Sequence, residues 1–240
     1  MRHECFVCAL MVSMFLVAFP MAGGRCTTAE IPLLQRFFAQ DGPGPTDYRA
    51  LRHLEARNDR WDKTASMDVW TDADASGFRY QIVAESGAGS IRSRVFKPAL
   101  EAEQQMWASG APERNTISPE NYTFEECGAS DSSGLARVGV KPRRKDVLLI
   151  EGSIFLRPLD AELVRVEGML SKTPSFWTRH VEIARYYERI AGVRMPVVLE
   201  TTAGVLLAGK STFKMTYAYE TVNGQAVGRP EQPAAIAVGR

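Results

Sequence analysis

Histidine and cysteine are scarce, with three and four among 240 residues. That leaves little material for imidazole acid–base work, thiolate nucleophiles or soft metal sites, so the composition leans away from an enzyme. A cationic excess is also missing. Lys plus Arg total 29 against 28 Asp plus Glu, a formal net charge of +1, and no surplus exists to neutralise a run of phosphates; nucleic acid is not an expected partner. Compositional bias is absent as well: 45% hydrophobic and 24% charged residues exclude disorder, collagen and low complexity as descriptions of the whole. What remains is a folded chain long enough for one large domain or two small ones.

The segment CFVCALMVSMFLVAFPMA, residues 5 to 22, is almost wholly apolar, with Arg2 before it and Gly23-Gly24 after it. This is the n-region, h-region and small-residue exit of a secretory signal peptide. Cleavage after Gly24 or after Ala29 fits, so the mature chain starts at Arg25 or Glu30. An uncleaved anchor is the competing reading, weakened by Pro20 and the weak flanking charge. Arg25 in front of Cys26 speaks against lipid attachment. The expected location is the periplasm. Cys5 and Cys8 leave with the signal, and Cys26 and Cys127 can close a disulfide only if cleavage falls before Cys26. The expected organisation is a signal peptide over 1–24, a lead-in over 25–44, one domain over 45–222 and a flexible tail over 223–240.

Thr46 or Asp47 offers a cap for a helix through YRALRHLEARN, where Tyr48, Leu51 and Leu54 lie about one turn apart. From Trp61 the rhythm changes to period two, which predicts strands through Met67 and Val69 and through Phe78, Tyr80 and Ile82, with a turn at Asp72–Gly77. IRSRVF reads as a third strand, and Lys97-Pro98 opens a helix, ALEAEQQMWA. Residues 109–135 read as a long irregular connection around NYTF; Asn121-Tyr-Thr matches a glycosylation acceptor, meaningful only in a eukaryotic secretory pathway. Six strands then follow without a helix: LARVGV, DVLLIEGSIFLRP, AELVRVEGML, FWTRHVEIARYYERI, MPVVLETTAGVLLAG and STFKMTYAYETV. Turn signals separate them, so neighbours pair as an antiparallel meander. A large meander hides its edges by curling toward a barrel, with the two helices over its mouth, and encloses either an apolar cavity or a packed core.

Gly204-Val-Leu-Leu-Ala-Gly209-Lys210-Ser211 satisfies the phosphate-loop pattern letter for letter. Its middle residues are strand-like, and Phe213, Met215, Tyr217 and Tyr219 alternate with polar residues after it, where a phosphate loop needs a helix. A hairpin turn at Gly209-Lys210 is expected, and no nucleotide. His53 and His180 have no Ser or Cys partner in sequence and read as surface or satisfied histidines. Lys141-Pro-Arg-Arg-Lys145 is the one concentrated charge. It reads as a solvated turn, with Arg143, Arg144 and Lys145 as candidates for a lipid head group or an acidic partner. The aromatics of the strands, Trp70, Phe78, Tyr80, Phe155, Phe176, Trp177, Phe213, Tyr217 and Tyr219, are mostly core, and in a curled sheet some of them line the concave face.

The stretch from Val140 to Glu220, with its basic-Pro turn, LVRVEG, PSFW and MPVVLE before a final pair of strands, resembles bacterial outer-membrane lipoprotein-sorting-like proteins, the group around the periplasmic lipoprotein carrier. With GSIRSRVF and its helix the likeness covers roughly residues 45–222. It implies an α+β fold, an unclosed half-barrel of curved antiparallel sheet with helices over its concave side, holding lipid or acyl chains without covalent chemistry. No cofactor, metal or catalytic residue follows from it. Trp70, Phe78, Tyr80, Phe155, Trp177, Phe213 and Tyr217 are the expected cavity residues, and a lipid or acylated lipoprotein the expected partner of a monomer. The alternative is a regulatory module that binds another envelope protein on the same fold.

Overall fold

The computed structural model describes residues 32–40, 42, 44–109, 116–130, 132–172, 178–205 and 209–228. In chain order these form α1 (Pro32–Ala39), β1 (Tyr48–Asn58), β2 (Lys63–Asp74), β3 (Gly77–Gly87), α2 (Gly89–Ile91), a π-helical turn (Arg92–Phe96) and α3 (Lys97–Ala108). Then come β4 (Tyr122–Ser130), β5 (Ala136–Pro142), β6 (Ile150–Leu156), β7 (Leu163–Leu170), β8 (Thr178–Ile190), β9 (Val193–Val205), β10 (Gly209–Val222) and β11 (Gln225–Ala226). The strands build one antiparallel sheet in the order β3-β2-β1-β10-β9-β8-β7-β6-β5-β4, with β11 paired to β10. Among the described residues β3 and β4 do not meet, so the sheet stays unclosed. The expected meander from β5 to β10 is present, and the half-barrel with helices on one face is the architecture.

Alternation sorts the side chains onto two faces. On β2, Ala65, Met67, Val69, Thr71 and Ala73 are buried and their neighbours only partly so. The face they occupy, here the inner face, carries the helices and two hydrophobic clusters. The first joins β1–β3, β9 and β10 to Ile91, Phe96 and Leu100 of the helical segment. The second joins β4–β7 to Leu34 and Phe37 of α1. Each fully buried aliphatic or aromatic side chain contributes about 1.5–3 kcal/mol relative to exposure. The opposite, outer face is laced with ion pairs: Arg49 to Asp72 at 3.0 Å, Lys214 to Glu200 at 3.0 Å and Arg165 to Glu167 at 2.8 Å.

Three segments differ from the sequence expectation. YRALRHLEARN is not a helix but β1, paired along its length with β2 and β10. Tyr48, Leu51 and Leu54 have helical spacing only by coincidence; the inward series is Tyr48, Ala50, Arg52, Leu54, the arginine in it masks the period of two, and Leu51 is buried on the other face, opposite Trp70. IRSRVF is not a strand. Lys97 N–H donates to the Arg92 carbonyl, an i→i−5 bond, and the five-residue step places Ile91 and Phe96 together in the first cluster. Residues 109–135 are not wholly irregular, because β4 pairs with β5 and forms one edge of the sheet.

Other details refine the outline. The lead-in contains α1, and Gln225-Ala226 pairs with Thr221-Val222 across an Asn223-Gly224 turn whose φ angles are 49° and 71°. That turn is tied back to the first strand: Thr46 N–H donates to Asn223 Oδ1 at 2.9 Å, and Asn223 N–H donates to the Asp47 carbonyl at 2.9 Å. Gly152 and Gly168 face each other across β6 and β7, and a Cβ on either would collide with the backbone of the opposite strand. Asn121 is 5% exposed and its amide nitrogen donates to the Thr116 carbonyl at 3.0 Å, which suits a structural residue and not a glycosylation acceptor. Gly209 and Lys210 lie in β10, opposite Val205 and Gly204 of β9, so a strand and not a helix follows the phosphate-loop match. Residues 206–208, the apolar segment over residues 5–22 and Cys26 lie outside the described residues.

Candidate functional site

A cavity of about 380 Å³ lies between α3 and the middle strands on the inner face. Its size falls within the range of about 300–1,000 Å³ usual for small-molecule sites. Its wall is mostly apolar, from Trp107 and Met106 of α3 to Leu199, Phe213 and Met215 of the sheet, with Leu148 contributed by the loop after the basic cluster. Four charged side chains join this wall: Arg52, Glu103, Arg185 and Arg194.

Arg52 is 1% exposed. Its Nη1 donates to Glu103 Oε2 at 2.6 Å and its Nη2 to Glu103 Oε1 at 2.9 Å, a bidentate pair that fastens α3 to β1. Nη2 also donates to the Tyr48 hydroxyl at 2.8 Å, while Nε is buried without a hydrogen-bond partner. The guanidinium lies 5.1 Å from the Phe78 ring centroid and 4.7 Å from that of Tyr217, so aromatic faces replace part of its lost hydration. Burial pushes the phenols of Tyr48 and Tyr219 well above the ordinary tyrosine range and raises that of Tyr217, so all three remain neutral. Arg194 pairs with Glu162 at 3.3 Å and stands 4.7 Å over the Phe37 ring. Arg185, on β8, also reaches this wall, and the neighbouring Tyr187 side chain, against burial, raises its pKa above the ordinary arginine value.

The expected cavity residues fall in different places. Phe213 and Tyr217 line the cavity. Phe78 and Tyr80 belong to the first cluster, Phe78 beneath the Arg52 guanidinium. Trp70 projects from the outer face, with Arg49 4.6 Å over its ring. Phe155 also faces outward, under Arg165 at 4.1 Å. Trp177 and Phe176 lie outside the described residues. In the basic cluster, Arg143 Nε donates to the Pro119 carbonyl at 2.6 Å and Arg144 Nη1 to Asn121 Oδ1 at 2.6 Å, so both stitch this loop to the approach of β4; Lys145 is exposed. His53 is on the outer face, 2.6 Å from Asp68, and the His180 ring packs over Gly204. Among the described residues no group of three or more His, Cys, Asp or Glu is placed to hold a metal ion.

Sequence reasoning missed Arg52, Glu103, Arg185 and Arg194. The available signal was the period of two itself: continued through Ala50 and Leu54 it puts Arg52 inward, and through Ile183 it puts Arg185 inward. A second hollow, of about 600 Å³, crosses the strand ends between Glu55–Arg57 and Thr212–Lys214. Its lining mixes Ser and Thr hydroxyls and the exposed Lys214–Glu200 pair with Ala56, Ala65 and Phe213.

No protein-family model matches the chain, and no curated protein matches it. Among solved structures it is similar to a DUF1329 family protein from Desulfovibrio piger, 10% identical, over 78% of this chain and 88% of that one, with a TM-score of 0.41. It is also similar to a "putative outer membrane lipoprotein-sorting protein domain" from Vibrio parahaemolyticus, 14% identical, over 79% of this chain and 91% of that one, with a TM-score of 0.41.

Proposed function

We propose that this is an exported periplasmic protein that holds a lipid or a lipoprotein acyl chain non-covalently in the inner-face cavity, as a carrier or sensor of the cell envelope. One observation carries the reading: a cavity of about 380 Å³ with a largely apolar wall, between a sheet and the helix that covers it. Burying a methylene of a guest there is worth about 0.8 kcal/mol, so even a short acyl segment repays the ordering of its chain. The apolar segment before Gly24 supports export. Nothing in this reading requires bond making, and the four charged groups of the wall serve orientation.

The test is mass spectrometry of organic extracts from protein purified from a periplasm without detergent, together with uptake of a fluorescent fatty acid. A stoichiometric lipid, or saturable uptake that competes with one, is expected. An empty protein that takes up no fatty acid refutes the proposal and turns the search toward an envelope protein bound on the same sheet.

A further inference from the structure

The inner face has a chemical asymmetry that its apolar wall does not explain. In register from β2 to β5, one row of inward residues runs Met67, Leu54, Met215, Leu199, Arg185, Val166, Ile154 and Val138, and at the two edge strands the register continues to Glu85 of β3, paired with Arg92 and Lys97, and to Glu126 of β4. Seven of these eight positions are aliphatic or Met, and the eighth is Arg185, at the cavity wall. Arg52 has Glu103 as a bidentate partner, and Arg194 has Glu162. Among the described residues no ion pair or hydrogen bond joins Arg185 to a carboxylate, and Glu103 acts on it only at longer range. A cation set in an apolar, partly desolvated wall without a counter-ion is costly, and an anion brought by a guest removes that cost. Of the three arginines in the wall, Arg52 and Arg194 are balanced by Glu103 and Glu162, and Arg185 leaves the cavity electropositive as well as apolar.

We propose that Arg185 is the head-group anchor of the cavity, and that the guest is an amphiphile with a carboxylate or phosphate anion on its acyl chain. The anion takes the guanidinium in fork geometry while the chain lies along Leu199, Met215 and Phe213. This rests on the lipid-binding reading above and narrows it to one class of guest.

The experiment measures affinity of the full purified protein for a long-chain fatty acid, its methyl ester and the corresponding alkyl phosphate, in the parent, R185K and R185Q. A hydrogen-bonded charge pair of this kind is worth about 1.5–3 kcal/mol, or roughly ten- to a hundredfold in affinity. The acid and the phosphate should therefore bind the parent at least about tenfold more tightly than the ester. The gap should close in R185Q and persist in R185K. Equal affinity of acid and ester in the parent overturns the anchor and leaves the lipid cavity standing; this arm needs no variant to fold. Failure of all three amphiphiles to bind overturns both readings. Inorganic phosphate that displaces the acid at comparable concentration overturns the amphiphile and leaves a plain anion site.

Discussion

Removing the carboxylate of Glu103 is the sharpest perturbation of this fold, because it strands a charge. Arg52 is 1% exposed and Glu103 23%, and two short bonds join them at 2.6 and 2.9 Å. Breaking one side of a buried ion pair costs about 3–5 kcal/mol, since the remaining ion is left in a poor solvent. The partial exposure of Glu103 lets water reach the gap, so about 3 kcal/mol is expected for E103A. E103Q should lose less, because its carbonyl still accepts one bond from the guanidinium. Replacing both charges, in R52M/E103L, should return the protein to within about 1 kcal/mol of the parent or above it, because no ion then needs solvation. Urea unfolding followed by circular dichroism reads all four proteins; with slopes of about 1–3 kcal/mol/M the E103A midpoint falls by about 1–3 M. A double variant as unstable as E103A, or more so, would refute the reasoning, and the α3 contact would then owe its stability to packing alone.

Phe37 of α1 is fully buried in the second cluster, and F37A should cost about 3–5 kcal/mol in the same urea assay if the lead-in is part of the folded unit. Because an added methyl at Gly168 meets the backbone of β6, G168A should cost about 3 kcal/mol, whereas an alanine at Gly134, which has open space around it but a φ of +78°, should cost only about 1 kcal/mol. Partial burial of His53 opposes its charge, but the hydrogen bonds it donates to Asp68 and then Glu55 outweigh this and raise its pKa above the ordinary 6.5. The imidazolium therefore stabilises the fold below the ordinary histidine value, and the contribution fades as pH rises through the raised one. Proton NMR titration of the ring should show the upward displacement, and D68N should bring it down.

The strands from β5 to β10 were legible because most of them alternate and Gly or Pro turns separate them, while β6, buried at four successive positions, was legible as an apolar run. β1 was not, because periodicity treats arginine as an outward residue, and Arg52 points inward on the strength of a carboxylate that arrives from α3, 51 positions later. The same bias hid Arg185. IRSRVF was misleading for a different reason: its branched and aromatic residues favour strands intrinsically, but packing of Ile91 and Phe96 into one cluster prevails over propensity. Which face is inner is decided by where the helices dock, a long-range fact. Trp70 and Phe78 are both aromatic and both in strands, yet one covers an arginine on the outer surface and the other lies beneath Arg52 in the core.

The tie between Thr46 and Asn223 joins residues 177 positions apart, and Asn58 meets Ser211 across 153. The first strand of the sheet thus waits for the last long one. In a chain made N-terminus first, β1 and β2 can zip together early, but the second edge of β1 stays bare until β10 has emerged, and a bare edge is a template for other chains. Pairings of such separation close slowly, because the loop entropy is lost before the contacts form. The nascent chain is therefore at greatest risk of misassembly shortly before its completion, when every strand but the closing one is present.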